Sequence, residues 1–164
     1  MPIIHLETII KSDIRVCFDL SRSIDLHKMS MSVSREKAIA GTTSGLIGLN
    51  ESVTWEAIHF GITQQLTSRI TAFTYPKHFR DEQIRGPFKS MIHDHTFEQD
   101  GEYVMMKDDF NFESPLGLIG KVANLILTPY LTKLLTIRNS VIKKYAESGE
   151  WEQIVHSTTN LPRK

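Results

Sequence analysis

The sequence predicts an α+β fold, in which a curved antiparallel sheet of six to seven strands wraps around a long C-terminal helix. Residues 52–112 form successive apolar-polar stretches separated by short segments with Gly, Pro or Asp, which is typical of strands joined by tight turns. Residues 115–147 then carry apolar side chains at steps of three and four, which is the period of one helix face. Because this apolar face is wide, the helix needs a concave wall, and the sheet would supply it.

Before this meander, the pattern predicts one strand and two short helices. Side chains alternate between apolar and polar over Ile3–Ile10, as expected of a strand with one buried face. Ser12 offers an N-cap to the first helix, and Ser23 or Asp25 can cap the second, which covers residues 24–31. The chain therefore has two short helices between its first strand and the rest of the sheet.

The remaining elements follow in order along the chain. Residues 32–50 are the least regular part and hold one short strand near residues 36–40. Pro115 suits the first turn of the long helix, and Pro129 lies inside it. We expect one domain over residues 1–148 and a tail over residues 149–164. The five later strands are predicted at Ser52–Phe60, Leu66–Thr74, His78–Arg85, Phe88–Glu98 and Tyr103–Phe112.

Composition excludes several classes of partner. The 164 residues include 19 basic and 19 acidic side chains without a basic cluster, which argues against nucleic acid and anionic membrane surfaces. The most apolar region, residues 116–135, is interrupted by Lys121 and Lys133, so we expect no integral membrane association. The first ten residues do not resemble a secretory signal, and the single cysteine, Cys17, suits a reducing compartment. We therefore expect a cytoplasmic protein, and the sequence predicts no oligomeric state.

Three stretches resemble a known superfamily: VTWEAIHFG at Val53–Gly61, DEQIRGPFKSMIHDHTFE at Asp81–Glu98, and FNFESPLGLIGKVAN at Phe110–Asn124. With the order of elements, they are similar to the START/Bet v-type helix-grip superfamily, also called SRPBCC. They are most similar to a bacterial, polyketide-cyclase-like subgroup without an established reaction. The resemblance extends over residues 3–147. It implies a cavity between sheet and helix for an apolar or amphipathic ligand.

Strand alternation predicts which side chains face this cavity. We place charged side chains such as Asp81 and Arg85 in solvent, so that Glu82 and Ile84 face inward and Ile70 lies opposite Glu82. Apolar walls with a few polar groups are typical of ligand pockets. The predicted ligand-binding residues are Trp55, Ala57, His59, Ile70, Glu82, Met91, His93, Asp108, Phe110, Phe112, Ile119, Ile126 and Tyr130.

The polar side chains in this wall should be paired, because an unpaired buried charge costs several kcal/mol. The predicted register places Arg80, His93 and Asp108 in one row, with Asp108 raising the pKa of His93. An internal network of this kind most often only satisfies buried polar groups. His93 and His95, with Asp108 and Glu82 nearby, also have the atoms that a divalent metal requires. No second His or Cys pair has metal-ligand spacing, so we expect no metal, and no cofactor motif is present.

Two functions remain open. The first, which we favour, is the binding or transport of a hydrophobic or amphipathic small molecule, such as a lipid or a polyketide-like compound. The second is an enzyme of the cyclase, dehydratase or hydrolase kind. In that case, His93 would act as general acid or base with Asp108, while Arg80 and Glu82 would stabilise charge or move a proton.

Overall fold

A computed structural model describes residues 2–115 and 117–156 of the chain, without the side chains of residues 33, 117–119, 121 and 156. The elements follow the predicted order. They are β1 Ile3–Ile10, α1 Ile14–Ser21, α2 Ile24–Ser30, β2 Lys37–Gly41, β3 Ser52–His59, β4 Ile62–Thr74, β5 His78–Arg85, β6 Ser90–Asp100, β7 Tyr103–Glu113, α3 Gly117–Ser148 and α4 Trp151–His156.

The strands form one antiparallel seven-stranded sheet in the order β1-β7-β6-β5-β4-β3-β2. The two short helices carry the chain from β1 at one edge to β2 at the other, and the meander then returns to β1. The predicted α+β fold, with its long C-terminal helix, is therefore confirmed. None of the described helices is long and apolar enough to cross a membrane.

The first helix is capped by Asp13, not by Ser12 as predicted. The Asp13 side chain accepts a hydrogen bond of 2.8 Å from the backbone nitrogen of Arg15. Ser12 instead donates from its hydroxyl to the Ala146 carbonyl of α3 at 3.2 Å. Its side chain thus joins the start of α1 to the long helix, a contact that local sequence does not reveal.

The second helix is capped by Ser23, one of the two predicted candidates, whose hydroxyl accepts from the Leu26 nitrogen at 3.2 Å. Asp25, the other candidate, accepts from the Gly45 nitrogen at 2.8 Å. The Gly45 carbonyl in turn accepts from the Ile24 nitrogen at 2.9 Å. These bonds attach the segment between β2 and β3 to α2.

The core has two parts, of which the larger packs against the C-terminal part of α3 and the smaller against its middle. The larger part surrounds the buried ring of Phe18, which makes edge contacts with Phe73 and Phe79 at centroid distances of 5.2 and 5.3 Å. The described part of the tail forms α4, for which the sequence predicted no element, and Trp151 packs against this cluster. The smaller part contains Ile4, Met91, Phe110, Phe112 and Leu135.

A register shift in β4 decides which face of β5 is inside. Ala72 lies opposite Arg80, as predicted, but Ile70 lies opposite Asp81 and not opposite Glu82. The irregularity between Ile70 and Ala72 adds one residue to β4, and a shift of one residue exchanges the two faces of a strand. Asp81 therefore faces inward, and Arg80 and Glu82 lie on the outer face.

The hairpin of β6 and β7 differs from the predicted register by two residues, which leaves the faces unchanged. His93 lies opposite Phe110, and His95 lies opposite Asp108. The turn is shorter than expected, because Asp100 and Tyr103 are already paired. Side-chain period is two in a strand, so all the residues predicted to face inward from this hairpin do so.

Candidate functional site

A cavity of about 330 Å³ lies between α3 and the inner face of the sheet. It is bounded by the two core clusters. The exposed residues of its lining, which mark the opening, are Phe60, Gln65, Pro87 and Pro115. Most of its wall is apolar. The apolar residues include Trp55, Ile70, Met91 and Phe110 from the sheet, and Leu127, Leu131, Leu134 and Leu135 from α3.

The deep end of the cavity is polar, with two histidines held between two carboxylates. His93 Nε2 lies 2.8 Å from Asp108 Oδ1, and His95 Nε2 lies 3.1 Å from Asp81 Oδ2. His95 Nδ1 is 3.0 Å from Asp108 Oδ1, but its direction does not make a hydrogen bond. Asp108 is fully buried behind both imidazoles, whereas Asp81, His93 and His95 line the cavity.

The long helix completes this network with Arg138 and Asn139. Asn139 Nδ2 donates to Asp108 Oδ2 at 2.7 Å, and Arg138 Nη1 lies 3.5 Å from Asp108 Oδ1. Arg138 Nη2 also donates to the Ser21 carbonyl at 2.9 Å. Neither residue is among those predicted from the sequence. The available signal was a polar pair within the apolar stripe of the helix, between Leu135 and Ile142.

The two carboxylates remain ionised although Asp108 is fully buried and only 20% of the Asp81 side chain is exposed. Burial alone would raise the pKa of Asp108, but its contacts with His93 and His95 lower that pKa well below the ordinary value. Burial likewise opposes ionisation of Asp81, and the His95 hydrogen bond and the His93 charge outweigh it, so the pKa of Asp81 is also lowered. The deep end of the cavity thus carries two negative charges.

The pKa values of the two histidines are shifted in opposite directions. Burial and the nearby His95 lower the pKa of His93, although Asp108 acts in the other direction. Asp108 does raise the pKa of His93, as predicted, but burial and His95 outweigh this contribution, so that the net shift is downward. For His95, burial also lowers the pKa, but contacts with Asp108 and Asp81 outweigh it and raise the pKa. Arg138, whose Nη1 lies 3.5 Å from Asp108 Oδ1, offsets part of the charge of the two carboxylates, which lowers the cost of burying them.

A second polar group lies nearer the opening. His59 Nδ1 is 2.8 Å from the Tyr130 hydroxyl, and burial lowers the pKa of His59. His27 stacks on Trp55 with centroids 4.3 Å apart, and its Nε2 lies 3.3 Å from Glu36 Oε2. All five residues line the cavity. His27 and Glu36 carry no local sequence signal that distinguishes them from surface residues, and only the packing of α2 on the sheet edge reveals them.

The structure brings most of the predicted site residues to the cavity. Glu82 is a correction, because it lies on the outer face, as does Arg80, whose guanidinium binds Asp94 at 2.8 and 2.9 Å. Ile126 is also a correction, since 62% of it is exposed. The residues that line the cavity as predicted are Trp55, Ala57, His59, Ile70, Met91, His93, Phe110 and Tyr130.

The other predicted residues of the site are Asp108, Phe112 and Ile119. Asp108 faces inward as predicted but is covered by the two histidines, so it does not line the cavity. Phe112 is fully buried in the smaller core cluster, where its ring lies 5.5 Å from that of Phe88. The side chain of Ile119 lies outside the described residues. A ligand-binding role for the lining residues remains a prediction.

Comparisons with known proteins find structural neighbours only. No protein-family model matches the sequence, and no curated protein matches it. TTHA0849 from Thermus thermophilus superimposes with a TM-score of 0.68 and 13% identity, over 86% of this chain and 97% of that protein. Ginseng major latex-like protein 151 from Panax ginseng gives a TM-score of 0.61 and 15% identity, over 88% and 97%. Ara h 8.0201 superimposes with a TM-score of 0.60 and 9% identity, over 86% of this chain and 97% of that protein.

Proposed function

Because the chain has the START/Bet v-type helix-grip fold, we propose that it binds one hydrophobic or amphipathic small molecule between the sheet and α3. The observation that carries this proposal is the cavity itself, about 330 Å³ with an apolar wall and a polar deep end. Such a combination is typical of small-molecule sites, in which apolar walls supply affinity and a few polar groups determine orientation. Lipids and polyketide-like compounds have the matching chemistry.

The hydrogen bonds at the deep end indicate which polar group the ligand carries. An ionised carboxylate can only accept, so His93 donates from Nε2 to Asp108, and its Nδ1 retains a lone pair. Asp81 Oδ2 lies 3.8 Å from this Nδ1, which is too far for a hydrogen bond. We therefore expect a ligand with an apolar body beside Met91 and Phe110 and a hydroxyl or phenol that donates to His93 Nδ1.

Binding is tested with protein purified in its native state. Mass spectrometry of its organic extract, followed by thermal denaturation with fatty acids, sterols and aromatic phenols, should identify a class that raises the melting temperature at one equivalent. Hydroxylated members should raise it more than their deoxygenated counterparts. The proposal is overturned if the extract is empty and no member of the panel raises the melting temperature.

A second function, acid–base catalysis, is favoured by one specific contact. His93 Nε2 lies 2.8 Å from Asp108, so the carboxylate orients an imidazole whose other nitrogen faces the cavity. A cyclase, dehydratase or hydrolase could use this nitrogen to remove a proton. For any compound that the binding experiment identifies, His93→Gln should abolish its conversion while binding persists. If wild-type protein returns every bound compound unchanged, the catalytic proposal fails and the binding proposal stands.

A further inference from the structure

We propose that Asp81, His93 and His95 form a binding site for a divalent transition-metal ion at the deep end of the cavity. One ligand atom from each of the three residues lies within 4.8 Å of the other two. Two imidazoles and one carboxylate are the donor types that suit zinc, cobalt, nickel and iron, whereas magnesium and calcium prefer oxygen donors alone. The proposal does not depend on an organic ligand.

The distances suit an ion placed between the three side chains. Asp81 Oδ2 lies 3.1 Å from His95 Nε2 and 3.8 Å from His93 Nδ1. Metal–ligand bonds of about 2.1 Å in a tetrahedral arrangement separate neighbouring ligand atoms by roughly 3.4 Å. The observed separations lie on either side of this value, so small rotations of the side chains would complete the coordination.

In each imidazole, the nitrogen that would not bind the ion faces the Asp108 carboxylate. Asp108 Oδ1 lies 2.8 Å from His93 Nε2 and 3.0 Å from His95 Nδ1. Metal-bound histidines commonly donate their other N–H to a carboxylate, which determines the tautomer and orients the ring. When His95 Nε2 binds an ion, its hydrogen is on Nδ1, the buried atom that has no aligned hydrogen bond in this structure. Asn139 holds Asp108 in place from the helix side at 2.7 Å.

The charges also favour a cation. Asp81 and Asp108 are negative and Arg138 is positive, so the set carries one net negative charge when both imidazoles are neutral. A divalent cation at Asp81 offsets that charge without exposing it to the apolar wall. Arg138 is directed to Asp108 and the Ser21 carbonyl, and its contacts therefore do not occupy the position between Asp81 and the histidines.

Three protein ligands leave at least one coordination position open, and that position faces the cavity because all three residues line it. The class of molecule that would fill it carries an oxygen donor, such as a carboxylate, an enolate or a phenolate, on an apolar body. The ion would use the lone pair of His93 Nδ1. Metal binding therefore excludes acid–base catalysis by a metal-free His93, and it also excludes a ligand hydroxyl that donates directly to Nδ1.

The outer face of the sheet supplies a matched control. His78 Nε2 lies 2.7 Å from Asp94 Oδ1, and Arg80 binds the same carboxylate. This group resembles the proposed site in its imidazole and carboxylate, but it is not among the described groups of three potential ligands. His78→Gln should therefore leave specific metal binding unchanged.

The test is a titration of chelator-treated protein without an affinity tag or organic ligand. Co²⁺ binding is followed by its visible absorption, and Zn²⁺ by competition with Co²⁺. We expect one equivalent to bind to the wild type and to His78→Gln with equal affinity. Asp81→Asn and His95→Gln should weaken binding roughly tenfold or more. No stoichiometric binding of either ion, or an equal loss in His78→Gln, would overturn the proposal.

A second measurement on wild-type protein covers the case in which a variant does not fold. Co²⁺ shifts the proton resonances of imidazoles that bind it, so the spectrum reports the number of metal-bound histidines directly. Two shifted imidazoles that appear together at one equivalent support the site formed by His93 and His95. Shifts assigned to His5, His27 or His78 instead contradict it. Because no organic compound is present, failure here leaves the small-molecule proposal intact.

Discussion

Asn139 Nδ2 donates a hydrogen bond of 2.7 Å to Asp108 Oδ2, and this contact links the long helix to β7, the strand next to the β1 edge of the sheet. Asp108 has no exposed surface. Its carboxylate therefore depends on protein partners, of which Asn139 is the one with the shortest bond. Two residues 31 positions apart in the chain thus determine where the helix lies against the polar end of the cavity.

Removing this contact should destabilise the fold. Asn139→Ala leaves one oxygen of a buried carboxylate without its donor, at a cost of about 1–3 kcal/mol in the free energy of unfolding. Urea denaturation monitored by circular dichroism measures the loss. The control is Ser140→Ala on the exposed side of the same helix turn, where we expect a change within about 0.5 kcal/mol. Equal losses in the two variants would contradict the role assigned to Asn139.

Filling the cavity should reduce the binding of an apolar probe. Ala57 is buried on the inner face of β3 and lines the cavity, whereas Ile58 lies exposed on the outer face. Ala57→Phe should weaken the binding of a fluorescent hydrophobic dye by roughly tenfold, because the added ring occupies space and removes about 1.4 kcal/mol or more of apolar contact. Ile58→Phe should bind the dye like the wild type. Unchanged binding in Ala57→Phe would show that the dye binds elsewhere.

Protonation of His59 should lower stability in mildly acidic solution. Burial lowers the pKa of His59 below its ordinary value of 6.5, and the charge of Glu36 opposes this only in part. As pH falls below about 6.5, the unfolded chain takes up this proton before the folded chain does, so the free energy of unfolding decreases. In His59→Gln this contribution is absent.

We therefore expect the wild type to lose more of its unfolding free energy than His59→Gln when pH is lowered from about 8 to about 5.5. Tyr130→Phe, which removes the hydroxyl that contacts His59 but keeps the imidazole, should retain the wild-type direction of pH dependence. A difference between wild type and His59→Gln that stays constant over this range would disprove the effect.

The single thiol should be unreactive in the folded protein. Burial, together with the charge of Asp13, raises the pKa of Cys17 from 9.0 to about 12. The fraction of thiolate at pH 8 is then about a thousandfold lower than in an exposed cysteine, and thiolate is the reactive species. An aromatic disulfide reagent should modify Cys17 only after unfolding, which spectrophotometry can follow. Rapid modification under native conditions would contradict the described packing of α1.

Local patterns predicted the elements of this fold well. The strand Ile3–Ile10 has the predicted bounds because its side chains alternate, and the strand His78–Arg85 because turn residues stand on either side of it. The long helix ends at Ser148, just before Gly149, whose φ of 77° suits a residue that terminates a helix. Each of these assignments depends on neighbours within a few positions of the chain.

The orientation of β5 could not be predicted in the same way. The sequence predicts Glu82 inside and Asp81 outside, because charged side chains such as Asp81 and Arg85 usually face solvent. The extra residue in β4 between Ile70 and Ala72 reverses that assignment, and no residue in the stretch marks it with a glycine or proline. Asp81 is stable on the inner face because His95 and His93 lie close to its carboxylate. Both histidines belong to β6, so the sequence of β5 alone does not contain this information.

The sequence by itself determined the order of elements, the helix-grip fold and the apolar character of the wall, since these follow from periodicity and turn chemistry. Only the tertiary structure decided which charges meet at the deep end of the cavity. Asp81, Asp108 and Arg138 come from β5, β7 and α3. Their buried charges are stable only in one another's presence, and that condition depends on long-range register and helix position, which local patterns do not contain.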